Sequence, residues 1–563
     1  MVTRAEALAQ LTAAGQKFEL ELQDLYGRPC RTFKNAPPTL HELYEQSRSD
    51  ETLIVYEDER FSFDEAYQIA CRIGGLLVDR YGVTKGDRIA ISMRNYPEWI
   101  ISFMAATSVG GIAVAMNALW NSAEMEYGLT DCGAKVLFAD QERLDRLAEC
   151  SDALSLDVIA VRPKKPLPSG AAEWNALLET RPPQSMPPSD AGPTDDSLIL
   201  YTSGSTGHPK GAVSCHRNVI SALMSWQLDL EASPLVTGLP AAAPEGQPAT
   251  LLGVPLFHAT GSHAVFLNTF PLQRKIVCMY KWDPELGAEL IERERITSVI
   301  APSAMTGDLV QTAKRTKRDL SSLLSVGGGG AARAPEQVKH IDESFDTALP
   351  NTGWGMTETN AIGTGISGAD YLGRPASSGR CSAVLDLRIV DDDGRELPTG
   401  ERGELQVRGT SIFRGYWNRP DANAETFAEG RWLRTGDIAY LDEEGFLFIV
   451  DRKKDLVIRG GENIGCGQVE AALLEHPRIL EAVVYAVPDD RLGEEVGATL
   501  YCTQVPDEGE LRAFLADHLA GFEIPRYFTM KTKPLPRIAS GKIFKRGLRE
   551  EAVAALQAGD ASA

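Results

Sequence analysis

A chain of 563 residues exceeds what one hydrophobic core organises and calls for two or more domains, with 43% hydrophobic residues available to pack them. Its formal charge of −21, from 57 Lys plus Arg against 78 Asp plus Glu, excludes nucleic acid or an anionic membrane as the main partner, so a bound polyanion must be met by local basic groups. Nine cysteines, odd in number and never in a C-x-x-C pair, offer neither a disulfide framework nor a zinc site and point to a reduced, cytoplasmic setting. The first residues carry Arg4, Glu6, Lys17, Glu19 and Glu21 without an apolar run between them, unlike a signal peptide.

Residues 52–56 and 60–63 flank an acidic turn and read as a hairpin, 63–83 has helical apolar spacing, and 88–92 reads as a strand. Residues 99–122 carry no charge and are long enough to cross a bilayer. Gly110 and Gly111 interrupt them, however, and the stretch divides into a helix at 99–109 and a strand at 112–116, so no transmembrane segment is expected. A helix at 122–129 and a strand at 135–139 continue the alternation, which is the pattern of a parallel sheet covered by helices. A Pro-rich connector fills much of 162–196, and an Ala/Pro-rich stretch, 234–248, reads as an exposed loop. Strands at 251–254 and 298–301 and helices at 284–294 and 306–314 then resume the pattern.

The most informative stretch lies between these halves. The apolar strand from Leu198 breaks into Thr202, Ser203, Gly204, Ser205, Thr206 and Gly207, and the loop closes on His208, Pro209, Lys210 and Gly211. Glycines there can turn backbone N–H groups towards one point, the hydroxyls add donors and Lys210 adds charge, which together describe a phosphate cradle. The spacing is not that of a Walker A loop, in which Gly, Lys and Ser/Thr stand side by side. A flexible Ser/Gly linker would need neither the strand before the loop nor the Pro-Lys-Gly closure after it. A second glycine cluster at 327–330 (with Ala331 and Ala332) reads either as a tight turn or as a close approach of backbone to a flat ligand.

Residues 201–211 resemble the signature loop of the adenylate-forming superfamily of acyl-CoA synthetases, luciferases and adenylation domains. Four further stretches resemble that family's motifs in the same order. In Thr352-Gly353-Trp354-Gly355-Met356-Thr357-Glu358-Thr359 the resemblance makes Trp354 an adenine platform and Glu358 a magnesium ligand, together with Thr206. In Arg434-Thr435-Gly436-Asp437 it makes Asp437 the acceptor for the ribose hydroxyls. From Asp451 it makes Arg452 a nucleotide contact, Lys454 the hinge, and Gly460 and Gly461 the lining of a pantetheine tunnel. In Gly541-Lys542 it makes Lys542 the catalytic lysine, set in a basic stretch with Lys531, Lys533, Arg537, Lys545, Arg546 and Arg549. More weakly, His258 resembles the gate of the acyl site.

The resemblance implies an α/β fold with a large N-terminal domain, 1–452, of mixed and parallel sheets flanked by helices, and a small mobile α+β C-terminal domain, 453–563, hinged near Lys454. It implies a ligase that uses ATP, Mg2+ and coenzyme A: a carboxylic acid is adenylated with loss of pyrophosphate, then transferred to the thiol, with Lys542, Glu358 and Lys210 carrying the first step. The nucleotide would be held by Thr202 to Gly207, Lys210, Gly329, Gly330, Ala331, Gly353 to Gly355, Thr357, Asp437, Arg452, Lys454 and Lys542. The acyl group would lie among His258, Gly329 and Gly355. No cation in these motifs offers a partner for a second carboxylate, which favours a medium- or long-chain fatty acid or another bulky apolar monocarboxylate. Transfer to a carrier protein, luciferase-like oxygenation and a non-catalytic nucleotide sensor remain as other readings of the same motifs, in a monomer or homodimer.

Overall fold

The periodicities of the sequence become three working sheets in the computed structural model, which describes residues 2–560 except 152–153, 203–207, 241–243, 330–332, 346, 454, 461 and 539–541, with backbone alone at 463 and 558–560. The first is an eight-stranded sheet. Its centre is parallel: Arg88–Ser92 lies between Ile112–Ala115 and Ala134–Asp140, and Asp196–Thr202 adds to Ile112–Ala115 with Leu198 opposite Ala113. These strands are apolar on both faces because helices cover both sides, as parallel strands require. The uncharged stretch that was long enough to cross a bilayer is the helix Pro97–Ser108, started by its proline, followed by the strand Ile112–Ala115. Trp99 stacks on Phe103 inside the core, and among the described residues no helix is long and apolar enough to cross a membrane.

A fourteen-stranded sheet forms the second layer. Its parallel part runs through Ala249–Leu252, Ser298–Ala301, Ser325–Gly328 and Leu349–Thr352, whose carboxyl ends open towards the same side. It then turns antiparallel through Thr364–Ser367 and Gly379–Cys381 to Phe446–Arg452 and Trp432–Leu441. Ligands in open α/β sheets collect outside the carboxyl ends of the strands, and the site described below lies there.

The helix His216–Thr237 packs between these layers and ends at Gly238 in the left-handed region, φ 70°. It takes in Pro234 to Thr237, so the stretch 234–248 begins as a helix end and is not loop throughout. The expected Pro-rich connector likewise holds a short helix, Trp174–Glu179, pinned by buried Trp174 and Leu177.

From Val457 onward the chain builds a separate five-stranded sheet around its own apolar core of Val457, Val469, Val484, Val496, Leu511 and neighbours. Its strands pair mainly antiparallel. Ile479–Asp489 pairs antiparallel with Gly493–Cys502, and only Tyr527–Lys531 joins in parallel. The long hairpin is closed by Gly493 at φ 79°, where a side chain would be strained, and a two-strand connection that short cannot make a parallel crossover.

Candidate active site

One cavity of about 2150 Å³ runs between the carboxyl ends of both sheets and the C-terminal unit. Thr202 and Lys210 enter it as cross-strand partners at the two ends of the signature loop, held by the antiparallel pairing of Asp196–Thr202 with Lys210–Cys215. Ser203, Gly204, Ser205, Thr206 and Gly207 lie outside the described residues, as do Gly330, Ala331, Lys454 and Gly461. Lys210–Cys215 pairs in turn with Gly415–Tyr416, which brings Tyr416 beside the loop. The Lys210 ammonium stands 5.1 Å from the Tyr416 ring centre, within cation–π range.

Glu358 sits in the single 3-10 turn Thr357–Thr359 after the strand Leu349–Thr352, 6% exposed and facing the same cavity. The Tyr416 hydroxyl donates to its Oε1 at 2.6 Å, which orients the carboxylate. Burial, and then the negative charge of Glu358, hold the Tyr416 phenol far above its ordinary range, so it stays a donor. Nothing in the sequence pointed to Tyr416; the pairing that delivers it joins strands two hundred residues apart, roughly, and carries no motif. Among the described residues no cluster of three or more His, Cys, Asp and Glu could cage a metal. A lone, oriented carboxylate beside Lys210 fits a magnesium ion that keeps phosphate oxygens and waters as its other ligands.

Asp437 and Arg452 are register partners on Trp432–Leu441 and Phe446–Arg452, and Arg452 Nε meets Asp437 Oδ1 at 3.1 Å. The Trp354 indole N–H donates to the other oxygen, Oδ2, at 2.7 Å. Trp354 is 9% exposed and packs in the core, with its ring filling the space over Gly363, where an added Cβ would come within 2.4 Å of it. Its visible action is thus on the Asp437 carboxylate. Burial raises the Asp437 carboxyl above its usual range, while Arg452 and Trp354 oppose that rise. Gly353 and Gly355 flank Trp354 where an added Cβ would meet the carbonyl oxygens of Thr364 and Ala361 at 2.3 and 2.5 Å, so the segment admits nothing larger.

Lys542 reaches this cavity from the C-terminal unit. The Ile538 N–H donates to its carbonyl at 2.8 Å. Burial lowers the ammonium below the ordinary lysine value, Arg452 lowers it further and Asp437 pulls it back, so the three groups share one field. Arg537, in the same stretch, lies 3.9 Å from Asp308 of the large unit. Gly460 stands at φ 59° outside the cavity lining, on the strand edge next to Leu492. Cys466 is a buried thiol pushed up to about 12 by burial, a packing residue and not a nucleophile.

The cavity continues away from these groups as a groove between His216–Thr237 and the parallel strands, past His258 and Gly329. Among the described residues His258 Nε2 is buried without a partner, and burial followed by the charge of Lys542 lowers the imidazole to about 4, so it is neutral at pH 7. Beyond it lie Trp226, Leu272, Ile300 and Leu324, and among them Arg274. The expectation that no cation stands near the acyl group came from the motifs alone; Arg274 belongs to none of them.

The stretch 42–417 matches the family model of the AMP-binding enzymes, and 468–542 matches that of the AMP-binding enzyme C-terminal domain. The chain belongs to the AMP-binding enzymes. A long-chain-fatty-acid–CoA ligase of Bacillus subtilis (strain 168) is 30% identical over 535 residues, 89% of this chain and 92% of the relative. A feruloyl-CoA synthase of Amycolatopsis is 32% identical, covering 83% and 89%, and a 2-succinylbenzoate–CoA ligase of Bacillus velezensis is 30% identical, covering 88% and 94%. Among solved structures, an anthranilate CoA ligase in complex with anthranoyl-AMP has the same fold with a TM-score of 0.83 at 24% identity over 92% of this chain and 98% of that one. The o-succinylbenzoate coenzyme A synthetase of Bacillus subtilis, in complex with ATP and magnesium ion, gives 0.74 at 26% identity over 91% and 99%. This AMP-binding enzyme is an AMP-forming acyl-CoA synthetase of the adenylate-forming superfamily.

Proposed function

We propose that the synthetase joins a medium- or long-chain, or otherwise bulky apolar, carboxylic acid to coenzyme A at the expense of ATP, releasing AMP and pyrophosphate. The observation that carries this reading is that Lys210, Glu358 and Arg452 of the large unit and Lys542 of the small one line a single cavity which extends into an apolar groove. ATP, Mg2+ and coenzyme A are its reagents.

In the first half-reaction a carboxylate oxygen of the acid attacks the α-phosphorus of ATP, and the bond to the β-phosphate oxygen breaks with its electron pair leaving on pyrophosphate. The substrate brings its own nucleophile, so the protein's part is position and charge. Thr202 and Lys210, at the ends of the signature loop, hold the β- and γ-phosphates together with residues 203–207. Glu358, oriented by Tyr416, would hold a magnesium ion, which supplies neutralising charge to the departing pyrophosphate when bound. Asp437, oriented by Trp354 and Arg452, accepts the ribose hydroxyls, a task suited to a carboxylate because it is acceptor-only. Trp354, Gly353 and Gly355 form the wall behind the adenine. Lys542 meets the charge that develops between the α-phosphate and the carboxylate.

In the second half-reaction the coenzyme A sulfur attacks the acyl carbonyl carbon and AMP leaves with the electron pair of the broken C–O bond. The domains divide at 452/453, and rotation about Lys454 withdraws Lys542 and brings Gly460 and Gly461 to the thiol path. The groove beyond His258 takes the acyl chain, with neutral His258 at its gate.

The test is pyrophosphate release across a panel of carboxylic acids, with and without coenzyme A. The reading expects acid-dependent pyrophosphate in both arms and multiple AMP turnovers only with the thiol. Pyrophosphate without any thioester in the coenzyme A arm would contradict the acceptor.

A further inference from the structure

The apolar groove does not end apolar. Arg274 lines it at the start of the strand Lys275–Cys278, and among the described residues its guanidinium joins no ion pair. Its neighbour Lys275 is the one paired with Glu294, at 3.2 Å. Among the described residues Arg274 Nε is buried without a hydrogen-bond partner, and burial lowers the guanidinium to about 10. An unpaired guanidinium in an apolar wall is costly to the fold unless something answers it.

Two neighbours on the groove share the condition. Asn268 is 8% exposed and Ser298 6% exposed; both line the cavity, and among the described residues Asn268 Oδ1 and Ser298 Oγ have no partner. The backbone explains why these three come together. The Arg274 N–H donates to the Thr269 carbonyl at 3.0 Å, folding it back beside Asn268. Ser298 opens the strand Ser298–Ala301, which lies next to Ala249–Leu252 and through it next to Lys275–Cys278. Ser298 and Arg274 therefore sit at the amino ends of their strands, with Asn268 on the 3-10 helix Leu267–Leu272 that leads into Arg274, whereas Gly329 and Gly353 follow the carboxyl ends of Ser325–Gly328 and Leu349–Thr352. Four-residue strands at about 3.3 Å per residue separate the two ends of the groove by about 10 Å.

We propose that Arg274, with Asn268 and Ser298, is the distal specificity site of the acyl groove and binds a second carboxylate on the far end of the acid. The inference rests on the acyl-CoA synthetase reading and replaces its wholly apolar acid with one that is charged at both ends: an α,ω-dicarboxylate or a similarly amphipathic acid, activated at one carboxyl and anchored at the other. Arg274 supplies a forked set of donors matched to a carboxylate, Ser298 adds a hydroxyl donor, and the Asn268 amide can turn its NH2 to the same oxygens. The apolar middle of the groove requires methylenes or a ring between the two charges. A simple fatty acid would leave the guanidinium and both neighbours unanswered.

The experiment compares a ladder of α,ω-dicarboxylates with monocarboxylates of equal length, from suberate and octanoate upward, by pyrophosphate release, in the unaltered enzyme, Arg274→Met and Arg274→Lys. The unaltered enzyme should have the higher kcat/KM for the dicarboxylate at one or more lengths, and Arg274→Met should lower the dicarboxylate-to-monocarboxylate ratio about 10- to 100-fold, mostly through KM, as expected for loss of a hydrogen bond to a charged group. Arg274→Lys should restore part of it. In parallel, the preferred dicarboxylate should raise the thermal midpoint of the unaltered enzyme and not that of Arg274→Met. A monocarboxylate preference at every length, or an equal ratio in the unaltered enzyme and Arg274→Met, overturns the proposal while leaving the synthetase reading intact. If no acid releases pyrophosphate the synthetase reading fails, and the midpoint shift then decides the anion site by itself: present and Arg274-dependent, it stands; absent, it falls.

Discussion

The two ends of the cavity are built on opposite terms. At the nucleotide end the polar groups are already answered: Glu358 by Tyr416, Asp437 by both Trp354 and Arg452, and Lys210 by the Tyr416 ring. At the proposed acyl end His258 Nε2, Asn268 Oδ1, Arg274 Nε and Ser298 Oγ are buried and, among the described residues, unanswered. A group held in place by its neighbours loses little freedom when a substrate arrives, which suits chemistry shared by every turnover. An unanswered buried group costs stability until a ligand satisfies it, which suits discrimination between ligands.

That contrast can be broken at its strongest point first. Glu358→Gln keeps the shape and the Tyr416 contact but removes the charge; adenylation should fall about 100- to 1,000-fold, the scale of losing one electrostatic stabiliser, with saturation moved to higher magnesium. An unchanged magnesium titration would remove Glu358 from the metal site. Asp437→Asn should cost roughly 10- to 100-fold through weaker ATP binding, as for a charged hydrogen bond. It should also move the alkaline limb of the rate profile to lower pH. The sign follows from the field: Asp437 raises the Lys542 ammonium while burial and Arg452 lower it, so removing the carboxylate leaves Lys542 to lose its proton earlier as pH rises. An alkaline limb that stays in place would show that Lys542 is not the titrating group.

Smaller effects probe the orienting groups. Tyr416→Phe leaves the Glu358 carboxylate in place without its donor, and about a tenfold loss in adenylation is expected, with full folding retained. At the acyl end, His258→Gln should change acid stability more than rate. The folded imidazole lies at about 4 against an ordinary 6.5, so between those values the unfolded chain takes up more protons; the stability is whole above pH 6.5 and drains as pH falls. Glutamine at this position should flatten that decline by up to about 1.4 kcal/mol per pH unit, read from denaturation midpoints between pH 6.5 and 4.5.

The same contrast explains what was legible in the sequence. The alternation of strands and helices through the first sheet was legible because buried parallel strands and amphipathic helices differ in period, as at Arg88–Ser92 and Phe63–Asp79. The proposed nucleotide end could be put forward from the sequence because Lys210, Glu358, Asp437 and Lys542 each sit inside a short contiguous stretch that resembles a family motif. Tyr416 and Trp354's hold on Asp437 were not, since they depend on strand pairings between distant segments. Arg274, Asn268 and Ser298 were hidden for the same reason: each is unremarkable in its own segment, and only the shared groove makes them a set. The antiparallel pairing inside the C-terminal unit was not legible, because a buried antiparallel strand such as Ile479–Asp489 is nearly as continuously apolar as a parallel one.

The central claim is that a lysine from the small unit serves the first half-reaction and leaves before the second. Lys542→Ala, assayed separately for acid-dependent pyrophosphate exchange and for thioester formation from supplied acyl-AMP and coenzyme A, tests it directly. The account predicts loss of exchange by about 100- to 1,000-fold, the scale of one removed electrostatic stabiliser, with thioester formation within a few-fold of the unaltered enzyme. Equal loss in both half-reactions would contradict it.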